Sequence, residues 1–160
     1  MSLWGALAGG FVGTLVLTTI LRAASELQLT RIDLPFLLGT AFTADRMRAK
    51  AIGYGLHFVA GLVFAVVYYV LFAAIGHSGW GWGAAFGFAH AMFAGTALVN
   101  VMLPLVHPRM GSPVTAAPAT ASLEAPGFLL LNYGVQTPLV TVVAHVAYGA
   151  LVGGFTSIAG

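Results

Sequence analysis

With 160 residues, of which 59% are hydrophobic and only 6% charged, the chain is not an ordinary soluble domain, in which about 25% of residues are charged. It contains no cysteine, which excludes disulfides, thiolate metal sites, iron–sulfur clusters and cysteine nucleophiles. The formal net charge of +2 does not point to nucleic acid, because the basic residues fall in two loops expected at the membrane surface, where they attract anionic lipid.

Four apolar stretches, at about 3–21, 51–75, 80–106 and 136–158, meet or approach the length that crosses a bilayer. A helix needs about 20 apolar residues for that, at a rise of about 1.5 Å per residue. The runs are continuous rather than alternating, so they read as helices and not as barrel strands. A helix also satisfies its own backbone polar groups, as lipid requires. The expectation is an all-α fold: one membrane domain over 1–160, a four-helix transmembrane bundle with short interfacial segments in its two basic loops.

The first stretch opens MSLWGALAGG, without the basic residues of a signal peptide, and reaches Arg22 without a small-residue cleavage site. It is therefore expected to be a retained helix. Gly5, Gly9 and Gly13 recur every fourth residue and predict a smooth helix-packing face, used within the bundle or against a partner. In the loop that follows, Leu34-Pro35-Phe36-Leu37-Leu38-Gly39 is apolar but too short to span, and is expected at the interface. Thr43 is the expected cap of a second helix starting near residue 44. Arg46, Arg48 and Lys50 then reach the headgroups, and with His107 and Arg109 form the expected lipid- or anion-facing surface.

The second helix is expected to end at Gly76. Tyr68, Tyr69, Trp80 and Trp82 read as an aromatic belt around the following turn, with His77 solvated. The third stretch carries Asn100 and Pro104, and the proline predicts a kink. Residues 111–126 show no period and read as an extended loop. Pro126–Gly134 reads as a second interfacial segment, and Pro138 suits the first turn of the last helix.

All six basic residues lie in the loops after the first and third stretches. The positive-inside rule turns those loops to the cytoplasm and both termini outside. Arginine outnumbers lysine and alanine and glycine abound, which suits a GC-rich bacterial genome and hence a bacterial inner membrane.

His57, His90 and His145 are expected at similar depth, within about 10 Å by rise per residue, with small residues beside each. They can serve as neutral glue between helices, as ligands of haem b or a (bacterio)chlorophyll, or in proton handling. His57 with His145 is the best-matched pair, because bulky Phe86 stands one turn before His90. No carboxylate, lysine or arginine lies inside a span, and no nucleophile elbow, phosphate loop or HExxH motif occurs.

At His107–Met110 (HPRM), Pro126–Gly134 (PGFLLLNYG), His145–Gly149 (HVAYG) and along Lys50–Phe72, the chain resembles a family of small bacterial four-span integral membrane proteins with no assigned activity. The resemblance implies the span count and sets His57, His107, Arg109, Tyr133 and His145 in the shared parts. It carries over no catalytic residue.

The leading expectation is a non-catalytic accessory subunit of a larger membrane complex, in electron transfer or photosynthesis. Its partners are membrane lipids and other subunits or further copies of itself, and no nucleic acid. Two alternatives stand beside it: a tetrapyrrole-binding protein using His57, His90 and His145, and a small oligomeric transporter or channel.

Overall fold

The computed structural model describes residues 1–110 and 123–158. Among them there is no strand, and four helices are long and apolar enough to cross a membrane. These are α1 (Leu3–Glu26), α3 (Arg46–Ile75), the third span (Trp80–Val106) and α6 (Thr137–Ile158). The third span has three parts: α4 (Trp80–Phe93), a π-helical stretch (Ala94–Met102) and α5 (Leu103–Val106). A short helix α2 (Leu34–Gly39) and a 3-10 turn (Phe128–Tyr133) occupy the places expected for interfacial segments. This is the expected all-α bundle of an integral membrane protein.

Boundaries move where polar groups act. α1 continues past its apolar stretch because Arg22 and Glu26, one turn apart, pair at 2.8 Å along its last turns. The cap of α3 is Asp45, whose carboxylate accepts the Arg48 N–H at 2.8 Å. Thr43, the expected cap, instead accepts the N–H of Asp45 at 3.2 Å. α3 ends at Gly76, whose φ of 73° is the left-handed conformation of a helix C-cap. Pro104 does not end the third span. The stretch before it is π-helical, and the Leu103 N–H reaches back to the Leu98 carbonyl. Of the loop expected over 111–126, residues 111–122 lie outside the described residues.

The start of α1 and the turn before α4 both meet the last turns of α6 at one end of the bundle. The Ser2 N–H bonds to the Thr156 carbonyl and the Gly79 N–H to the Gly153 carbonyl, each at 3.1 Å. Every basic residue belongs to the opposite end.

α6 is the central stave: 56% of its span is buried, against 17% for α3. It packs on α1 on one side and on α4 on the other. Glycine permits both contacts. A Cβ on Gly83 would overlap the Gly149 carbonyl, and one on Gly87 would overlap the His145 carbonyl. On the α1 side, a Cβ on Gly9 would stand 2.9 Å from Val152 Cα, and one on Gly13 would stand 2.9 Å from the Tyr148 ring. Gly5 is buried in the same helix. The glycine strip of α1 is thus spent inside the bundle. α2 lies on the first half of α3, where Gly53 admits the Pro35 carbonyl and Gly39 admits that of Ala49.

α3 and α4 are consecutive, yet they meet mainly through rings. Tyr68 stacks on Phe86 at 5.9 Å with planes 4° apart, and Phe72 stacks on Phe86 at 5.2 Å. Tyr68 is only 4% exposed, so it belongs to the core and not to the expected belt. Its neighbours Phe72, Phe86 and Tyr148 cover it. Trp80 and Trp82 are about half exposed, as a belt requires.

The backbone-to-backbone contacts make a sharp prediction. Gly149→Val should cost about 1–3 kcal/mol through overpacking and lower the melting temperature in detergent. Gly55→Ala, which meets nothing within 4 Å, should leave it unchanged.

Candidate functional site

Beneath the stacked rings, between α3 and α4 and walled also by α1, α2 and α6, lies a cavity of about 230 Å³. All three membrane histidines line it, with Phe64, Thr141 and Tyr148 in the upper wall and Leu34, Leu98, Leu103 and Leu130 among the lower lining. Among the described residues no charged side chain contributes to it.

His145 sits on α6 and is 8% exposed. Its Nδ1–H donates to the Thr141 carbonyl at 2.8 Å, which leaves the Nε2 lone pair free. His90, on α4, meets the His145 ring edge-on, with centroids 4.8 Å apart and planes 77° apart. The Phe64 ring covers its other side at 3.9 Å, and the Tyr68 hydroxyl lies 3.3 Å from its Nδ1. His57, on α3, has a buried Nε2 without a hydrogen-bond partner, and the buried Thr141 hydroxyl also has none. Above them the Tyr148 hydroxyl donates to the Gly61 carbonyl at 2.5 Å and ties α6 to α3.

The structure therefore brings all three predicted histidines to one cavity but pairs them differently. His90 with His145 is the pair in direct contact, rather than His57 with His145. Phe86 does not crowd His90, because it turns towards Tyr68 and Phe72. The edge-on contact of His90 and His145 leaves no gap for a flat macrocycle between those two rings. Among the described residues, no group of three His, Asp or Glu is arranged to hold a metal ion. Chemically the site offers neutral hydrogen-bonding atoms in an apolar chamber. That suits binding a ligand with one or two polar atoms. Thr141 and Tyr148 were accessible to sequence reasoning as site residues, since they stand four before and three after His145 on one helical face. Phe64 and Tyr68 gave no such signal.

The expected basic surface divides. Arg46 and Arg48 are exposed at the start of α3, and Lys50 pairs with Asp33 at 2.8 Å. His107, expected on that surface, is only 3% exposed. Its Nδ1 accepts the Arg109 N–H at 3.2 Å, and its Nε2–H donates to the Leu37 carbonyl at 2.9 Å. The Arg109 Nε–H donates to the Thr40 carbonyl at 2.9 Å. The HPRM segment is thus a clamp that fastens α2 to the end of the third span. Its imidazole is buried because the orphan carbonyls at the C-terminal end of α2 need donors.

A second set of ties closes the floor. The Arg31 N–H donates to the Tyr133 carbonyl at 2.7 Å, the Arg31 guanidinium pairs with Glu124 at 3.0 Å, and Thr30 meets Thr137 at 2.7 Å. The Asn100 amide donates to the Gly127 carbonyl at 3.0 Å. These bonds hold Leu129 and Leu130 at φ of 50° and 64°. That conformation costs on the order of 1–3 kcal/mol for each non-glycine residue. It turns Leu130 into the cavity floor.

Comparison of the chain with family models, curated proteins and solved structures finds no match. The geometry alone defines the class: an integral membrane helix bundle with a histidine-lined apolar chamber.

His107→Ala should cost about 1–3 kcal/mol by leaving the Arg109 N–H without its acceptor and the Leu37 carbonyl with the Thr40 hydroxyl as its remaining donor. Equilibrium unfolding in mixed micelles measures it, with the exposed Arg48→Ala expected to shift stability by less than about 0.5 kcal/mol.

Proposed function

We propose that this chain is a non-catalytic component of the bacterial inner membrane whose bundle holds one lipid-soluble small molecule between α3 and α4. One observation carries the reading: the His57 Nε2 and Thr141 hydroxyl are buried without partners in the wall of a single apolar cavity. Buried polar groups are nearly always satisfied, so two orphans facing one space ask for a ligand that supplies the missing partners. Apolar walls with a few convergent polar atoms are the ordinary make-up of small-molecule sites. The absence of carboxylates, lysines and arginines from the lining supports binding over ion transport or acid–base catalysis. Holding a lipid-soluble molecule suits an accessory subunit of an electron-transfer or light-driven complex. The positive-inside rule supports a membrane orientation with the basic end cytoplasmic and both termini outside.

Solvent extraction of the purified protein, followed by mass spectrometry, should release one lipid-soluble compound in near-stoichiometric amount. The His57→Leu/Thr141→Val double variant should lose it, because it removes both orphan atoms and fills their space with apolar groups. A Soret band abolished by His57→Ala would replace this reading with the tetrapyrrole one. A folded wild-type protein that yields no compound would overturn it.

The orientation has its own test, made clean by the absence of native cysteine. In intact cells, His77→Cys in the turn before α4 should react with a membrane-impermeant maleimide. Ala44→Cys, before α3, should react only after permeabilisation. The reverse pattern would invert the topology.

A further inference from the structure

A second chamber of about 220 Å³ opens at the basic end of the bundle, and its walls are polar. Its charged lining residues are Arg22, Glu26, Asp33, Arg46 and Lys50. Two of the three cations are already matched, Arg22 by Glu26 and Lys50 by Asp33, each at 2.8 Å. Arg46 makes no ion pair among the described residues, and its guanidinium is held 5.9 Å above the Phe36 ring. One uncompensated, oriented cation therefore faces this vestibule. Ser25 and Tyr54 add hydroxyls beside it.

The vestibule and the histidine-lined cavity are not separate. Leu21, Ile32, Leu34 and His57 line both, and His57 stands at the neck with its Nε2 unsatisfied. Each chamber alone falls below the roughly 300 Å³ at which small-molecule sites begin, whereas the two together reach that range. The combined site is amphipathic along its length, with a cationic mouth at headgroup level, a polar neck and a dry apolar end.

We infer that the two chambers form one binding site for an anionic, single-chain amphiphile. Its oxyanion head, a carboxylate or a phosphate monoester, lies against Arg46, and its hydrocarbon chain passes His57 into the cavity under Tyr148. The inference rests on the ligand-binding reading above and adds the ligand's charge and polarity. Arginine favours such heads because its planar fork of donors matches their oxygens. The limited volume of the apolar chamber favours one chain over the two of a bilayer phospholipid.

The protein in uncharged detergent tests this with four probes: a C18 fatty acid, a C18 monoalkyl phosphate, the C18 alcohol and inorganic phosphate. Binding is read by native mass spectrometry and by displacement of a fluorescent fatty acid. One or both anionic amphiphiles should bind, and their ratio identifies the head as carboxylate or phosphate. Arg46→Gln should weaken them roughly tenfold or more, the loss expected for a hydrogen bond to a charged group. The same variant should leave the weaker alcohol unchanged. Ala60→Phe, which fills the apolar chamber, should abolish binding of all chain-bearing probes, while an unchanged melting temperature verifies the fold. Alcohol bound as tightly as the anions, or anions indifferent to Arg46→Gln, would overturn this inference and leave the ligand-binding reading standing. Inorganic phosphate binding as tightly as the alkyl phosphate would reduce the site to a free-anion site. No chain-bearing probe bound by a folded protein would overturn this inference, while the ligand-binding reading stands or falls on the extraction.

Discussion

The close approach of α6 to α1 and α4 governs the rest of the structure. In a bilayer there is little hydrophobic gain from bringing helices together, so packing and small residues decide which helices touch. Gly83 and Gly87 on α4, with Gly149 and Gly153 on α6, let the two backbones meet without intervening side chains. Gly9 and Gly13 do the same for α1 against α6. α3 has no such seam with α4. Where those helices face each other they present Phe64, Tyr68, Phe72 and Phe86, and rings of that size hold them apart. The cavity is the consequence: rings fill the upper part of the gap and nothing as large fills the lower part. A site arises here from unequal side-chain size on neighbouring helix pairs, without any insertion or dedicated loop.

The same inequality explains why the histidines sit where they do. Each belongs to a different helix, and each helix is held by a different device: α6 by glycine seams, α4 by its seam with α6, and α3 by α1, α2 and the Tyr148 hydroxyl. The three rings converge only because those devices act together. His90 and His145 meet directly, since the glycine seam brings their helices together backbone to backbone. His57 remains apart on α3 with its Nε2 unspent. The floor is built at a cost, through left-handed Leu129 and Leu130 and the π-helical stretch before Pro104. Irregular backbone of both kinds is frequent at functional sites, and both features touch this cavity.

Much of the fold was legible because the bilayer imposes a coarse rule that composition reports directly. Four long apolar runs become four spans, and the basic residues gather at one end. Finer placement was less legible for a physical reason. These helices are apolar on nearly every face, so hydropathy does not distinguish a lipid-facing side from a bundle-facing one. Tyr68 therefore read as a belt residue although Phe72, Phe86 and Tyr148 cover it, and the Gly5, Gly9, Gly13 strip fitted a partner interface as well as internal packing. His107 read as surface because its neighbours are polar. The Leu37 carbonyl that draws it inside lies 70 positions away in sequence. The convergence of the histidines was visible as a shared depth. Which two would touch was not, because that depends on rotation about each helix axis, fixed by the distant glycines Gly83 and Gly149.

The distribution of charge carries one further step. A bundle of this size can satisfy its loop cations in water, and Arg22 and Lys50 do so with acids that the chain places beside them. The exposed Arg22–Glu26 pair contributes only about 0–1 kcal/mol and Lys50–Asp33 is half-buried, so stability alone does not explain the arrangement of these pairs around a hollow. Their effect on the vestibule is to cancel one another and leave its field to Arg46 alone. At the other end of the same path the described lining loses all formal charge, and its unpartnered polar atoms are an imidazole nitrogen and a hydroxyl. A gradient from one cation, through neutral donors and acceptors, to hydrocarbon runs along the path of a single chain. Dispersed helix glue would have no reason to order its polar groups that way.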